Sequence, residues 1–161
     1  FDGNGMTIGE KIIEQTGVIG EKIDLSGYEQ VSAETVYAYN HPGNKLAAMV
    51  GLNKTGDLEE VAKDVAMQVA AMNPVALDKD QVPQEAIDRE IEVGKDLAIQ
   101  EGKPEELAEK IAMGRLNKFF QESTLLNQQY VKDSKKSIAQ YLKEFDSGLT
   151  VTDFKRMALG E

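Results

Sequence analysis

The chain has 161 residues and 41% of them are hydrophobic, which is enough apolar material for one sizeable core, so we expect a single domain over 1–161. Acidic residues outnumber basic ones by 28 to 18, and the formal net charge is -10. This charge repels phosphate backbones and anionic lipids, which argues against a nucleic-acid or membrane partner. The absence of cysteine excludes disulfides and thiolate metal sites and fits a cytoplasmic location.

The N-terminal segment predicts a loop, a helix and a strand. Residues 1–6 have loop composition and no initiator Met, so we expect a piece of a longer protein. From 7 to 19 the apolar residues follow helical spacing, and Thr7 with Glu10 forms a capping-box pattern. Apolar and polar residues then alternate over 23–31, which predicts a strand bent at Gly27.

Residues 35–52 have the pattern of a β-hairpin. Two apolar runs, 35–39 and 46–52, flank the sequence Asn-His-Pro-Gly-Asn at 40–44, whose proline and glycine are typical turn residues. We therefore predict two antiparallel strands joined by an exposed turn that carries His41.

A long amphipathic helix is predicted after this hairpin. Asp57 is the candidate N-cap, and Pro74 disfavours helical geometry at Asn73, which ends the helix. The apolar positions fall on one helical face. They are Leu58, Val61, Ala62, Val65, Ala66, Val69 and Met72.

Two charged helices of similar length, 84–100 and 105–122, are predicted on either side of a Gly-Lys-Pro turn at 102–104. They make an antiparallel coiled-coil hairpin over 84–122 that projects from the body, and Gly94 is expected to face Gly114. The expected seams are Ile87, Ile91, Gly94 and Ala98 on the first helix and Leu107, Ile111 and Gly114 on the second.

The C-terminal segment predicts a loop after Leu125, a short helix at 138–145 capped by Ser137, and a closing strand over 150–159. The fold class is therefore α+β, with a small antiparallel sheet packed on helices and a protruding helical hairpin.

No catalytic, cofactor-binding or metal-binding residue is predicted, so we do not expect an enzyme. His41 is the single histidine, and its position in a turn favours an exposed residue or a partner contact over a catalytic base. The glycine-containing segments lack a phosphate-binding fingerprint. The basic residues Lys132, Lys135 and Lys136 favour a solvated loop over an RNA site because the whole chain is acidic.

Six stretches, in their order and spacing, resemble the elongation factor Ts family over nearly the whole chain. They are IGEKI at 19–23, HPGNKL at 41–46, VAMQVAAMNP at 65–74, EGKPE at 101–105, GRLNKFF at 114–120 and YVKD at 130–133.

This resemblance implies a guanine-nucleotide exchange factor for elongation factor Tu, the GTPase that delivers aminoacyl-tRNA. Such a factor favours nucleotide release by binding the nucleotide-free GTPase better than the nucleotide-bound form. The matching half of the family's core docks largely on the third domain of the GTPase, which nominates Asn40, His41, Val131 and Lys132 as partner-binding residues. The alternative is that these are turn and loop residues without a partner.

The family also carries a Thr-Asp-Phe-Val motif near the nucleotide site of its GTPase. The sequence Thr152-Asp153-Phe154 matches it by coincidence, because the family motif precedes the hairpin and Lys155 follows here. We therefore expect the true motif, the N-terminal helical domain and the first half of the core to precede residue 1. The chain is expected to contribute docking more than GDP expulsion. The alternative function is a protein-interaction or oligomerisation module without exchange activity, for which a homodimer is one form.

Overall fold

The computed structural model describes residues 5–160 and separates them into two compact units, one ending at Gln30 and the other beginning at Val31. In the first unit, helix α1 (Ile8–Ile19) starts at Thr7 and ends at Gly20, which adopts φ 77°. The predicted capping box is confirmed, since Thr7 Oγ1 accepts from the Glu10 amide and Glu10 Oε2 accepts from the Thr7 amide. Most of the predicted loop at 1–6 lies outside the described residues.

The predicted strand over 23–31 is wrong, because residues 21–34 form neither helix nor strand. Leu25 is 59% exposed and Tyr28 is 74% exposed, so the alternation marks no buried face. A strand is stabilised by a partner strand and a packed face, and alternation in sequence supplies neither.

The second unit contains the sheet, the remaining helices and a short ribbon. In chain order its elements are β1 (Thr35–Asn40), β2 (Leu46–Leu52), α2 (Glu59–Met72), α3 (Gln84–Gln100), α4 (Glu105–Ser123), β3 (Gln129–Tyr130), β4 (Asp133–Ser137), α5 (Ile138–Phe145) and β5 (Val151–Ala158).

The sheet is antiparallel with strand order β1-β2-β5, which confirms the predicted hairpin and the predicted closing strand. Alternate β2 side chains, Ala48, Val50 and Leu52, are buried against α2 and form the core with the apolar face of that helix. The core is completed by residues from α5, β3, β5 and the segments before β3 and β5: Leu125, Tyr130, Ile138, Tyr141, Leu142, Leu149 and Val151.

Helix α2 confirms the predicted C-terminus and the predicted apolar face from Val61 to Val69, but Met72 is 44% exposed and the predicted cap is wrong. Asn73 ends the helix in the left-handed region with φ 43°. Leu58 occupies the N-cap position and no side chain caps the helix there. Asp57 lies one residue too early, and the cap hydrogen bond requires a side chain at the N-cap itself.

Helices α3 and α4 pack mainly against each other, as an antiparallel hairpin requires. The α3 seam is confirmed, with Gly94 and Ala98 buried, whereas the predicted α4 seam is wrong: Leu107 is 43% exposed, and the buried positions lie one or two residues further along the helix. A Cβ on Gly94 would lie 3.0 Å from the Cα of Ala112, while one on Gly114 would meet nothing within 4 Å. The predicted Gly94–Gly114 contact is therefore wrong. The buried α4 residues are Ala108, Ala112 and Leu116.

Small residues explain this shift. Alanines four apart let the α3 backbone approach α4 more closely than the larger Leu107 would allow, as the contact between Gly94 and Ala112 shows. A supercoiled geometry stays a prediction.

The two ends of the hairpin are tied together where they join the core. Val75 N donates to Ser123 O over 2.8 Å, and Leu125 N donates to Ala76 O over 2.9 Å. The chain then continues through the β3–β4 ribbon, which replaces the loop predicted after Leu125, and into α5. Helix α5 has the predicted bounds and a capping box at Ser137. No helix within residues 5–160 meets the length and hydropathy needed to cross a membrane.

Candidate partner-binding surface

The predicted hairpin turn presents His41 at the surface on a backbone fixed by its own sequence. Asn44 N donates to His41 O over 3.0 Å, which closes a four-residue turn with Pro42 and Gly43 at its centre. Pro42 suits the first central position, and Gly43 at φ 94° adopts the positive φ that the second requires. The turn therefore holds its shape without help from the core.

Side chains around this turn also hold one another. The Tyr39 hydroxyl and His41 Nδ1 are hydrogen-bonded over 2.9 Å, and the two rings meet edge to face. Asn40 Nδ2 donates to Asn44 Oδ1 over 2.7 Å. Tyr39 packs against the core on its other side, so the imidazole is anchored to the sheet while it remains exposed.

The second pair of predicted residues, Val131 and Lys132, forms the two-residue turn of the β3–β4 ribbon. Tyr130 and Asp133 are paired directly on either side of it. Val131 is 50% exposed, whereas Tyr130 is buried. The ribbon thus projects an apolar side chain into solvent immediately next to a buried tyrosine.

A buried carboxylate lies beneath this turn. Asp64 of α2 is 6% exposed, and its Oδ2 accepts from the hydroxyls of Tyr130 at 2.5 Å and Tyr141 at 2.9 Å. Its Oδ1 accepts from Lys132 Nζ at 2.5 Å. The two tyrosine rings stack with centroids 4.2 Å apart, so the carboxylate and its donors form one compact cluster.

One helical turn further along α2, Gln68 is fully buried and bonds the ribbon backbone. Its Oε1 accepts from the Val131 amide at 2.9 Å, and its Nε2 donates to Gln129 O at 3.1 Å. Nε2 also contacts Gln128 Oε1 at 3.2 Å. The side chain is therefore satisfied at both ends by residues of a single segment.

The cluster shifts the ionisation of its members. Burial opposes ionisation of Asp64, but the hydrogen bonds from Lys132, Tyr130 and Tyr141 outweigh it and hold the pKa of this carboxyl below its usual value. Burial, with the hydrogen bond to Asp64, raises the pKa of Tyr141 to about 12 and that of Tyr130 well above its usual range. The cluster is thus a carboxylate held by neutral hydroxyls and an ammonium group.

The structure places the four predicted residues in two separate turns. Asn40 lies beside His41, and Val131 lies beside Lys132, but among residues 5–160 no hydrogen bond, ion pair or ring contact joins the two turns. Helix α2 packs its apolar face on β1 and β2, the strands on either side of the first turn, and bonds the second turn through Asp64 and Gln68.

Asp64 and Gln68 were missed by sequence reasoning. The available signal was Gln68, because rotation by 100° per residue places it at the edge of the apolar arc of α2, beside Val61, where a buried amide needs hydrogen-bond partners. The identity of those partners, which lie at least 60 residues away in sequence, has no local signature.

The structure also tests two other features of the sequence, a possible metal site and the Thr152-Asp153-Phe154 match. Within the described part of the chain, His, Asp and Glu side chains form no group of three or more that could hold a metal ion. Thr152, Asp153 and Phe154 lie within β5, where Phe154 packs against the core as an ordinary strand residue.

Comparison with known proteins gives matches along the whole chain. The family model described as Elongation factor TS matches residues 2–161. The elongation factor Ts of Flavobacterium psychrophilum is 50% identical over 160 residues, covering 99% of this chain and 58% of that protein. That of Cytophaga hutchinsonii is 52% identical over 158 residues, covering 97% and 57%, respectively.

A more distant relative, the elongation factor Ts of Chloroherpeton thalassium, is 42% identical over 168 residues. In all three comparisons the chain spans less than three-fifths of the relative's length. The match nevertheless includes both turns and helix α2. The chain belongs to the elongation factor Ts family.

Proposed function

We propose that this chain is the docking part of a guanine-nucleotide exchange factor for elongation factor Tu. The family match over residues 2–161 carries this proposal. Exchange by such a factor is conformational: it binds the nucleotide-free GTPase more tightly, and linkage then requires nucleotide affinity to fall. The proposed exchange makes and breaks no covalent bond, so the proposed function is not enzymatic. Because bacterial translation takes place in the cytoplasm, we expect the chain to act there.

The proposed contacts with elongation factor Tu are the two turns. Asn40 and His41 offer hydrogen-bonding groups on a rigid hairpin, and Val131 offers an exposed apolar side chain. The Lys132 ammonium group bonds Asp64, but its side chain is 53% exposed and remains within reach of a partner. Interfaces gain most from a few well-ordered anchors: the first turn is ordered by its own hydrogen bonds, and the second is held by Asp64 and Gln68.

The test is a titration of this chain against elongation factor Tu loaded with fluorescent GDP, beside a full-length relative. We expect this chain to bind the nucleotide-free GTPase but to accelerate GDP release far less than the full-length protein. Release as fast as that of the full-length protein would contradict the docking-only role. Absence of binding would contradict the proposal itself.

Variants locate the contact surface. His41→Ala and Val131→Ala should each weaken binding about ten-fold, the usual size for an interface anchor. Leu107→Ala is the matched control, because Leu107 is also a half-exposed apolar residue but lies on the helical hairpin. Equal losses in all three variants would show that the two turns have no special role.

Self-association is a second candidate function, favoured by the sheet face that points away from α2. A shallow groove of about 350 Å³ crosses that face and is lined by Ala38, Met49 and Met157, with Lys155 beside them. We expect a homodimer through this face to dissociate in Met49→Glu. Light scattering over a concentration series decides this: a monomer at every concentration in the unmodified chain excludes the dimer.

A further inference from the structure

We propose that Asp64 and Gln68 are positioning residues that hold the β3–β4 turn in its docking conformation, so that Val131 is presented to the partner already ordered. This inference rests on the proposed function for the identity of the partner, but the ordering of the turn is a property of the chain alone. The two residues touch no partner themselves and act through the turn.

The turn sequence does not fix its own conformation. Two-residue hairpin turns favour types with positive φ at the first central position, for which glycine, asparagine or aspartate is suited. The non-glycine residues with positive φ in the described chain are Asn44 and Asn73, so Val131 and Lys132 both have negative φ. A β-branched valine is poorly suited to the favoured turn types. Something outside the turn must therefore hold it.

Gln68 restrains the turn through its backbone. Its amide bonds the Val131 N–H on one side and the Gln129 carbonyl on the other, so that it spans the strand leading into the turn. Because Gln68 is fully buried in the packed face of α2, its position is set by the core. The backbone of Val131 is thereby fixed relative to the core, while its side chain stays exposed.

Asp64 restrains the same turn through side chains. It accepts from the Tyr130 hydroxyl before the turn and from the Lys132 ammonium group within it. Tyr141 of α5 donates to the same carboxylate and stacks on Tyr130, which links the ribbon to a second helix. The residue on each side of Val131 is therefore tied to one buried carboxylate.

Packing alone does not account for these polar residues on the core side of α2. Apolar side chains of similar volume stabilise a core at least as well as buried polar groups, which must first lose water. The hydrogen bonds of Asp64 and Gln68 instead converge on one segment, 128–132, with Tyr141 added. This convergence indicates that their hydrogen bonds set the conformation of the turn.

Preordering matters because docking otherwise has to immobilise the turn. Ordering a flexible segment on binding reduces affinity, and a turn already held in the bound conformation avoids that loss. Releasing the turn should therefore weaken binding mainly through Val131, without removing any direct contact.

The first test uses the free chain and needs no partner. In Gln68→Met, which keeps side-chain length but removes both hydrogen bonds to the ribbon backbone, the Val131 amide should exchange with solvent at least about ten-fold faster. Gln100→Met, an exposed glutamine on α3, is the matched control and should leave this rate unchanged. Unchanged Val131 exchange in a folded Gln68→Met chain would overturn the proposal.

The second test is a double-mutant cycle in binding to elongation factor Tu. Gln68→Met should weaken binding about ten-fold in the unmodified chain but less than about two-fold in Val131→Ala, because contacting residues that act together are non-additive. In His41→Ala the same change should keep its full effect. Equal effects in both backgrounds would show that Gln68 does not act through Val131.

A general loss of stability is separated by Val50→Ala, a buried β2 change outside the ribbon. Val50→Ala and Gln68→Met are compared under conditions in which both have the same free energy of unfolding. Val50→Ala should then bind elongation factor Tu with unchanged affinity, and its Val131 amide should exchange at an unchanged rate. If the unmodified chain does not bind elongation factor Tu, the proposed function fails, yet the exchange experiment still decides whether α2 holds the turn.

Discussion

Asp64 combines near-complete burial with three hydrogen-bond donors, so its removal would leave a buried cluster without its shared acceptor. Burial in the folded chain disfavours the ionised form of Asp64, and the hydrogen bonds from those donors outweigh this effect. Tyr130 and Tyr141 lose their acceptor if it is removed, whereas Lys132 can turn to solvent.

Asp64→Ala should therefore lower the free energy of unfolding by about 2 kcal/mol, which is less than the cost of breaking a fully buried ion pair because Lys132 is half-exposed. Urea denaturation measures this change. Glu109→Ala removes the exposed ion pair with Lys95 and should cost less than about 0.5 kcal/mol. Similar losses of stability in the two variants would show that burial does not make the Asp64 interactions stronger than an exposed ion pair.

The raised pKa of Tyr141 predicts that the free energy of unfolding falls at alkaline pH. The pKa of Tyr141 is raised to about 12 in the folded chain, against an ordinary value of 10.0. Because the pKa of Tyr141 is higher in the folded chain than in the unfolded chain, the neutral hydroxyl favours the folded state. This contribution to stability is fully present below about pH 10 and is lost as the pH rises towards about 12. Urea midpoints across this range should fall less steeply in Tyr141→Phe. An unchanged slope would show that Tyr141 ionisation is not linked to unfolding.

At the scale of elements, the α3–α4 hairpin depends on which small residues face each other. Gly94 lies against the backbone of Ala112, and Gly114 faces open space. The two glycines share a helical setting and differ in what surrounds them, which makes them a matched pair.

Gly114→Ala should raise the free energy of unfolding by about 1 kcal/mol, because it removes the helix-interior cost of glycine and meets no neighbour. Gly94→Leu should lower it by about 1–3 kcal/mol, since a large side chain cannot fit between the helices. Helical circular dichroism during urea unfolding measures both changes. Stabilisation by Gly94→Leu would show that the observed helix pairing is wrong.

At the scale of the whole molecule, the hairpin and the core are separable in their packing. Helices α3 and α4 bury their seams against each other, and the core is formed by the sheet, α2 and α5. Hydrogen bonds between 75–77 and 123–126 bring the ends of the hairpin together at the core.

Replacing residues 84–122 with a short Gly-Ser linker should therefore leave a cooperatively folding core, because that linker only has to join ends that are already paired. Circular dichroism and thermal unfolding test this, with the unmodified chain as reference. Loss of the cooperative transition would show that the hairpin is part of the folding unit.

The sequence was sufficient to predict the elements with strong local signals. The Thr7 and Ser137 caps, the turn at 40–44 and the apolar face of α2 from Val61 to Val69 were all confirmed. Each depends on residues within one or two turns of chain, so composition and spacing contain the necessary information. The same local information led to the predicted strand over 23–31, which failed because a strand also needs a partner.

Packing between distant segments set how these elements meet. It shifted the α4 seam to Ala108, Ala112 and Leu116, a choice set by close approach to Gly94. Composition and local pattern in the sequence predicted an acidic α+β chain with an exposed turn at 40–44 and an exposed loop after the helical hairpin. Tertiary packing determined that Asp64 and Gln68 support one of them, because buried hydrogen bonds join residues more than 60 positions apart and leave no local pattern.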